Sequence, residues 1–149
     1  MIELFIFPLD SAGGIKLNST RDEVHSLLGE PSIVIEDTDH YQETELPLSV
    51  HYDENGKVEY ISFSKPNSSS LKVIFHDFDV FNIPAEQLIE KIENETPYKY
   101  DREDPERGYS YIFQELELSF WRPTMPENKN DHDGMYFEVI GIGIKGYYD

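Results

Sequence analysis

Residues 46–65, LPLSVHYDENGKVEYISFSK, constrain the fold more than any other segment, because their pattern predicts a β-hairpin. Leu48, Val50 and Tyr52 alternate with polar residues before the turn, and alternation with a period of two indicates a strand with one buried face. Asn55-Gly56 is the dipeptide typical of a type I′ turn. The hairpin predicts an antiparallel sheet against which the rest of the chain must pack.

Two segments carry the signals of short amphipathic helices. In 19–31, Thr20 is placed to cap a helix and Glu23, three residues later, completes a capping-box pattern. In 84–95, Pro84 suits the first turn of a helix. The predicted apolar stripes are Val24, Leu27 and Leu28 in the first segment, and Ala85, Leu88, Ile89 and Ile92 in the second.

The remaining apolar segments predict further strands at 2–7, 32–35, 109–121 and 135–148, and a strand followed by a turn at 71–81. Because strands and a helix follow one another in a similar order on both sides of PNSSS (66–70), we expect two diverged helix-plus-hairpin units, 1–65 and 71–149. The predicted fold class is α+β: one domain, 1–149, in two layers, with two short helices on an antiparallel sheet. In the last strand, Gly141 and Gly143 leave a bare backbone face that an aromatic ring or a helix can approach.

The chain contains no cysteine, which excludes disulfides, thiolate metal sites and a thiol nucleophile. Its first residues, MIELFIFPLD, lack the basic region and the long apolar run of a signal peptide or a membrane span. We therefore expect a cytoplasmic protein.

The balance of charge restricts the partners. The chain has 12 Lys and Arg against 30 Asp and Glu, a net charge of −18 that is shared equally by residues 1–70 and 71–149. Such a charge repels nucleic acid and anionic membranes and attracts basic proteins. It also keeps a small protein soluble without any partner, so solubility alone is an alternative explanation.

Five of the carboxylates lie in IEDTDHYQETE, residues 35–45, which has no Lys or Arg. A calcium-binding loop in this register would need Gly at position 42 and Glu at position 48, where the chain has Gln42 and Leu48. The five histidines are scattered without ligand spacing. We predict no metal and no cofactor. A nucleophile elbow and a phosphate-binding glycine loop are also missing from the sequence, so we expect no enzyme activity.

Part of the chain resembles a known repeat. STRDEVHSLLGEPSIV…YDENGKVEYISFS, within residues 18–63, is similar to the helix-plus-hairpin unit of small outer-membrane assembly lipoproteins and β-lactamase inhibitor proteins. The matching positions are Thr20, Val24, Leu28, Gly29, Pro31, Tyr52, Gly56 and Val58. Residues 1–149 show neither the signal-peptide pattern nor the lipidation cysteine of the lipoproteins, so we do not expect the envelope role of that family.

The second half resembles small acidic bacterial immunity proteins in its composition and in FDVFNIPAEQLIEKI and LELSFWRP. That resemblance implies a cytoplasmic inhibitor that binds a basic toxin domain such as a nuclease. We therefore predict a protein-binding module in which carboxylates steer the encounter and aromatic residues anchor it. The predicted partner-binding residues are Glu36, Asp37, Asp39, Tyr41, Glu43, Glu45 and Trp121. The alternatives are a small acidic enzyme with carboxylate-based hydrolysis and a self-associating structural domain.

Overall fold

The elements follow from the patterns in the sequence, with some changes of extent. The computed structural model describes residues 2–42, 44–96, 99–100, 109–128, 130–132 and 134–148. The strands are Ile2–Phe7 (β1), Ser11–Ala12 (β2), Ile15–Lys16 (β3), Ile33–Ile35 (β4), Thr38–Tyr41 (β5), Leu48–Tyr52 (β6), Val58–Ser64 (β7), Leu71–Phe75 (β8), Phe78–Asp79 (β9), Lys99–Tyr100 (β10), Ser110–Phe113 (β11), Leu118–Trp121 (β12) and Val139–Gly143 (β13). The helices are Arg21–Leu28 (α1) and Ala85–Glu93 (α2), and a 3₁₀ turn spans Gln114–Leu116.

The predicted hairpin is present as β6 and β7, but its turn differs from the prediction. Tyr52 pairs with Val58, so five residues connect the strands rather than two. The Asp53 carboxylate accepts hydrogen bonds from the backbone N–H groups of Asn55 and Lys57. Gly56 has a φ of 75°. The aspartate side chain therefore stabilises a longer loop in which only the glycine needs a left-handed conformation.

Two sheets contain all the described strands. The large sheet is antiparallel, in the order β10-β11-β12-β13-β7-β6-β5-β4. The small sheet has the order β3-β2-β1-β8-β9. In it β1 runs parallel to β8, with Ile2 opposite Leu71 and Ile6 opposite Phe75. The α+β prediction with two short helices is confirmed, and the parallel pair is a feature that the sequence prediction did not include.

The segment predicted as one long strand, 109–121, is in fact a hairpin. β11 and β12 pair with each other on either side of the 3₁₀ turn, and Glu117 after the turn has a φ of 49°. The buried Glu117 carboxylate accepts hydrogen bonds from the backbone N–H groups of Gly146 and Tyr148. These hydrogen bonds connect the turn between β11 and β12 to the segment that follows β13.

One hydrophobic cluster includes the buried face of the large sheet, both helices and the small sheet. On α1, Thr20 and Glu23 form the predicted capping box. Val24 is buried, but Leu27 is 56% exposed, so the predicted stripe on α1 is wrong at that position. On α2 all four predicted stripe residues are buried. Both helices therefore bury apolar side chains in the same hydrophobic cluster.

The opposite side of the large sheet, which we call the open face, is lined by small and polar residues. Four small residues lie side by side across four neighbouring strands: Ser49 of β6, Ser62 of β7, Gly141 of β13 and Ser119 of β12. As predicted, aromatic rings approach the bare glycines: Tyr60 covers Gly141, and Tyr147 covers Gly143. Tyr60 and Tyr147 stack with ring centroids 4.6 Å apart.

The two predicted repeat units contribute equally to the large sheet. Residues 1–65 supply β4 to β7, residues 71–149 supply β10 to β13, and the halves meet where β7 pairs with β13. In each half, strands of the small sheet come first, one helix follows, and four consecutive strands of the large sheet come last. Descent of both halves from one ancestral unit stays a prediction.

Candidate partner-binding surface

Part of the acidic stretch, residues 35–45, forms a strand that the sequence did not predict. β5 pairs with β4 on one side and β6 on the other, so its side chains alternate between the two faces of the sheet. Asp39 and Tyr41 point to the buried face, whereas Thr38 and His40 belong to the open face. The stretch is therefore divided between the interior and the surface.

Glu36 and Asp37 form the two-residue turn between β4 and β5, and both are exposed. Glu36 has a φ of 53°, as tight hairpin turns often require. Within the described part of the chain, neither residue takes part in a salt bridge. These two carboxylates are thus accessible at the surface, and their role in binding stays a prediction.

Asp39 cannot contact a partner, because its side chain is fully buried beneath α1. Its carboxylate accepts hydrogen bonds from Arg21 Nη2 at 2.6 Å and from Tyr52 Oη at 2.9 Å, and it lies 2.7 Å from His25 Nε2. Burial by itself would raise the pKa of the Asp39 carboxyl. The hydrogen bonds from these three side chains outweigh it and hold that pKa below its usual value.

The polar cluster around Asp39 is structural. Arg21 lies over the Tyr52 ring at 4.7 Å from the ring centroid, which adds a cation–π contact to the ion pair. Because three donors already surround the carboxylate and water does not reach it, it is poorly placed to exchange protons with a substrate. The prediction that Asp39 belongs to the binding surface is therefore wrong.

Tyr41 is also buried, with 4% of its surface exposed, so it is not an exposed aromatic anchor. Its hydroxyl donates a hydrogen bond to the carbonyl of Gly29 at 2.9 Å and ties β5 to the end of α1. Burial, together with the charges of Asp39 and Glu30, raises the pKa of Tyr41 to about 12. The ring packs inside the fold because the alternation of β5 places it on the same face as Asp39.

The other predicted residues lie apart from one another. Glu45 is exposed in the loop before β6, and Glu43 lies outside the described residues. Trp121 is 42% exposed at the end of β12, where it pairs with Val139 on the face opposite Tyr41. Four strand spacings, about 19 Å, separate β12 from β5. Trp121 and the acidic turn therefore do not form one compact site.

The sequence predicted a strand at 32–35, where β4 lies, but it did not predict that this strand forms an exposed edge of the large sheet. Ile33, Val34 and Ile35 are 43%, 56% and 56% exposed, and β4 lies at the end of the large sheet. Val34 is opposite Asp39, whereas Ile33 and Ile35 belong to the open face beside His40 and Thr38. The available signal was a run of three apolar residues that do not alternate with polar ones, a pattern that predicts a strand but does not show that the strand is an edge.

Two other features, a metal site and a membrane-spanning helix, are not found among the described residues. Among the described residues, no group of three or more His, Asp or Glu side chains is placed to hold a metal ion. No helix in the described ranges has the length and apolar character needed to cross a membrane. The absence of a cofactor stays a prediction.

Comparison with known proteins adds information on the fold alone. No protein-family model matches the chain, and no curated protein matches it in sequence. Its structure is similar to the crystal structure of a DUF4309 family protein, YjgB, from Bacillus subtilis, with a TM-score of 0.56 and 14% sequence identity. The match covers 90% of this chain and 84% of that one. An architecture shared at this identity does not carry a function with it.

Proposed function

We propose that this chain is a cytoplasmic binding protein that occludes a basic protein partner, in the manner of an immunity protein against a toxin domain. The observation that carries the proposal is the edge strand β4, which exposes Ile33, Val34 and Ile35 next to the acidic turn Glu36-Asp37.

An exposed apolar edge strand is a template for another strand. Natural sheets protect their edges with lysine, proline, bulges or a covering element. The residues of β4 carry none of the protecting side chains, and its short length, three residues, limits self-propagating pairing. A partner strand that adds to β4 would gain backbone hydrogen bonds and cover the three apolar side chains.

Charge selects the kind of partner. Glu30 precedes β4, Glu36 and Asp37 follow it, and all three are exposed. With a net charge of −18, the whole molecule accelerates the approach of a basic protein, and the local carboxylates then orient it. A second copy of this chain would bring the same net negative charge to the contact, which disfavours self-association.

The proposal can be tested with basic secreted-toxin domains encoded beside this chain. Each domain is co-expressed with the protein to measure growth rescue, and association is followed by stopped flow at several salt concentrations. The double variant E36K/D37K should slow association about tenfold and weaken its dependence on salt, because it reverses two charges beside the contact. The double variant E90K/E93K makes the same change of charge on the exposed side of α2 and serves as the matched control.

A second pair of variants tests the strand itself. Ile35→Lys places a charge on the edge of β4, whereas Phe7→Lys replaces a side chain of matched exposure, 55%, on the small sheet. Loss of growth rescue by Ile35→Lys alone supports strand addition. Equal effects of the two lysine variants, or equal effects of the two double variants, would show that β4 is not the contact. Dimers in sedimentation experiments that Ile35→Lys dissociates would instead favour the self-associating alternative.

A further inference from the structure

A cavity opens between the two sheets, at the end of β5 that is remote from the acidic turn. It has a volume of about 360 Å³, which lies within the range of roughly 300–1,000 Å³ that is typical of small-molecule sites. Leu4 and Leu71 of the small sheet line one side, and Leu48 and Phe63 of the large sheet line the other. Leu28 at the end of α1 closes part of the wall.

The polar groups of this cavity are few and unequally engaged. The Tyr41 hydroxyl donates to the carbonyl of Gly29, and the Thr44 hydroxyl donates to the carbonyl of Leu46. The exposed Glu45 side chain also lines the cavity, and within the described residues neither a hydrogen bond nor a salt bridge occupies its carboxylate. The described lining contains no Lys or Arg.

From this arrangement we infer that the cavity binds a small amphiphile with an apolar tail and a cationic head group. The tail lies among the leucine side chains and Phe63, and the head group lies at the mouth beside Glu45. Burial of the tail supplies most of the affinity, since each methylene group that is removed from water adds to it. The head group supplies the selectivity, because an anionic amphiphile would meet Glu45 and the charge of Glu30, which already acts on Tyr41.

The inference does not depend on the proposed function, since no residue of β4 lines the cavity and the acidic turn lies at the opposite end of β5. It is tested by calorimetric titration of the intact protein with decylammonium, decanol and decanoate, all below their micellar or solubility limits. We expect one decylammonium to bind per chain and decanoate to bind about tenfold more weakly, because the ionic contact changes from attraction to repulsion. Decanol should have an intermediate affinity.

Methyl NMR spectra locate the ligand. Shifts at Leu46, Leu48 and Leu71 place it in the cavity, whereas shifts confined to the exposed Ile2 and Leu9 would show adsorption on the surface and overturn the inference. That control matters because a cationic amphiphile also adsorbs on a chain with a charge of −18. A stoichiometry well above one ligand per chain would also indicate adsorption on the surface and would overturn the inference.

Two matched pairs of variants complete the test. Leu4→Trp fills the cavity and should abolish binding, whereas Leu27→Trp adds the same volume on the exposed side of α1 and should not. Glu45→Gln should weaken decylammonium binding about threefold and leave decanol binding unchanged, with Glu54→Gln in the β6–β7 turn as its control. Since Glu45 is exposed, this variant keeps the fold even if Leu4→Trp does not. Equal affinities for all three amphiphiles, or no effect of Glu45→Gln, would exclude selection by charge.

Discussion

Asp39 is fully buried, and donors from α1 and β6 surround its carboxylate. A buried carboxylate loses its hydration, so it remains charged only where hydrogen bonds and an opposite charge replace the lost water. Arg21 and Tyr52 supply part of that replacement, and the cation–π contact between them fixes their relative position. The cluster thus joins α1 to β5 and β6 by polar contacts where most of the core is apolar.

Replacement of Asp39 by Asn should destabilise the fold by about 2–3 kcal/mol. The loss arises because the Arg21 guanidinium and the buried Tyr52 hydroxyl lose their charged acceptor, and hydrogen bonds to charged groups contribute about 1.5–3 kcal/mol. The measurement is the free energy of unfolding in urea. Asp37→Asn, two residues earlier in the exposed turn, is the matched control and should change that free energy by less than about 0.5 kcal/mol. Equal effects would contradict the assignment of Asp39 to a stabilising cluster.

The same residue predicts a dependence of stability on pH. Because the folded-state pKa of Asp39 is below its unfolded value of about 3.9, the carboxylate contributes fully above that value. Its contribution is lost as the pH falls through the unfolded value and then through the lower folded-state pKa. The difference in unfolding free energy between the wild type and Asp39→Asn should therefore be constant near neutral pH and shrink from about pH 4 downwards. A difference that stayed constant into acid would be inconsistent with this pKa shift.

At the scale of single elements, the sequence predicted those strands and helices whose inward positions are apolar. The alternation of Leu48, Val50 and Tyr52 predicted β6, and the four apolar residues of the second stripe predicted α2. β5 was missed because an aspartate occupies one of its inward positions, and an inward carboxylate can be recognised only when its partners are known. Arg21 and His25 are 18 and 14 residues away in sequence, so no local pattern connects them with Asp39.

The division of 109–121 into two strands was missed for a similar reason. Its apolar residues continue through the segment, and the reversal at Glu117 contains no glycine or proline. The reversal depends on backbone donors from Gly146 and Tyr148, about thirty residues later in the sequence. On the candidate surface, the acids at 36, 37 and 45 are exposed, and their role in binding stays a prediction. The sequence could not assign Asp39 and Tyr41 to the interior without the register of β5.

The tight packing of β13 against aromatic rings gives a prediction for that element. A Cβ at Gly141 would overlap the Tyr60 ring, so Gly141→Ala should destabilise the fold by about 1–3 kcal/mol. Tyr60→Leu removes the ring that causes the overlap. In a double-mutant cycle measured by urea unfolding, the combined variant should therefore lose less than the sum of the two single losses. Strict additivity would show that the ring and the glycine do not contact each other.

At the scale of the molecule, charge and packing oppose each other. One hydrophobic cluster draws on both halves of the chain, whereas each half carries the same excess of acidic residues. Folding brings these like charges closer together, and their mutual repulsion lowers the stability of the compact state. The same field favours a basic partner, so the cost in stability and the proposed binding have one physical origin.

This opposition predicts that salt stabilises the protein. The Debye length falls from about 30 Å at 0.01 M to about 3 Å at 1 M ionic strength, which screens repulsion between distant carboxylates. The melting temperature, measured by calorimetry, should therefore rise with the concentration of NaCl. In E90K/E93K, which carries less net charge, the melting temperature at low salt should be higher and its rise with salt smaller. Since the Asp39 cluster is buried, it is screened much less than the surface and adds little to the response. A melting temperature that falls with salt, or an equal rise in both proteins, would show that surface repulsion does not limit the stability of this fold.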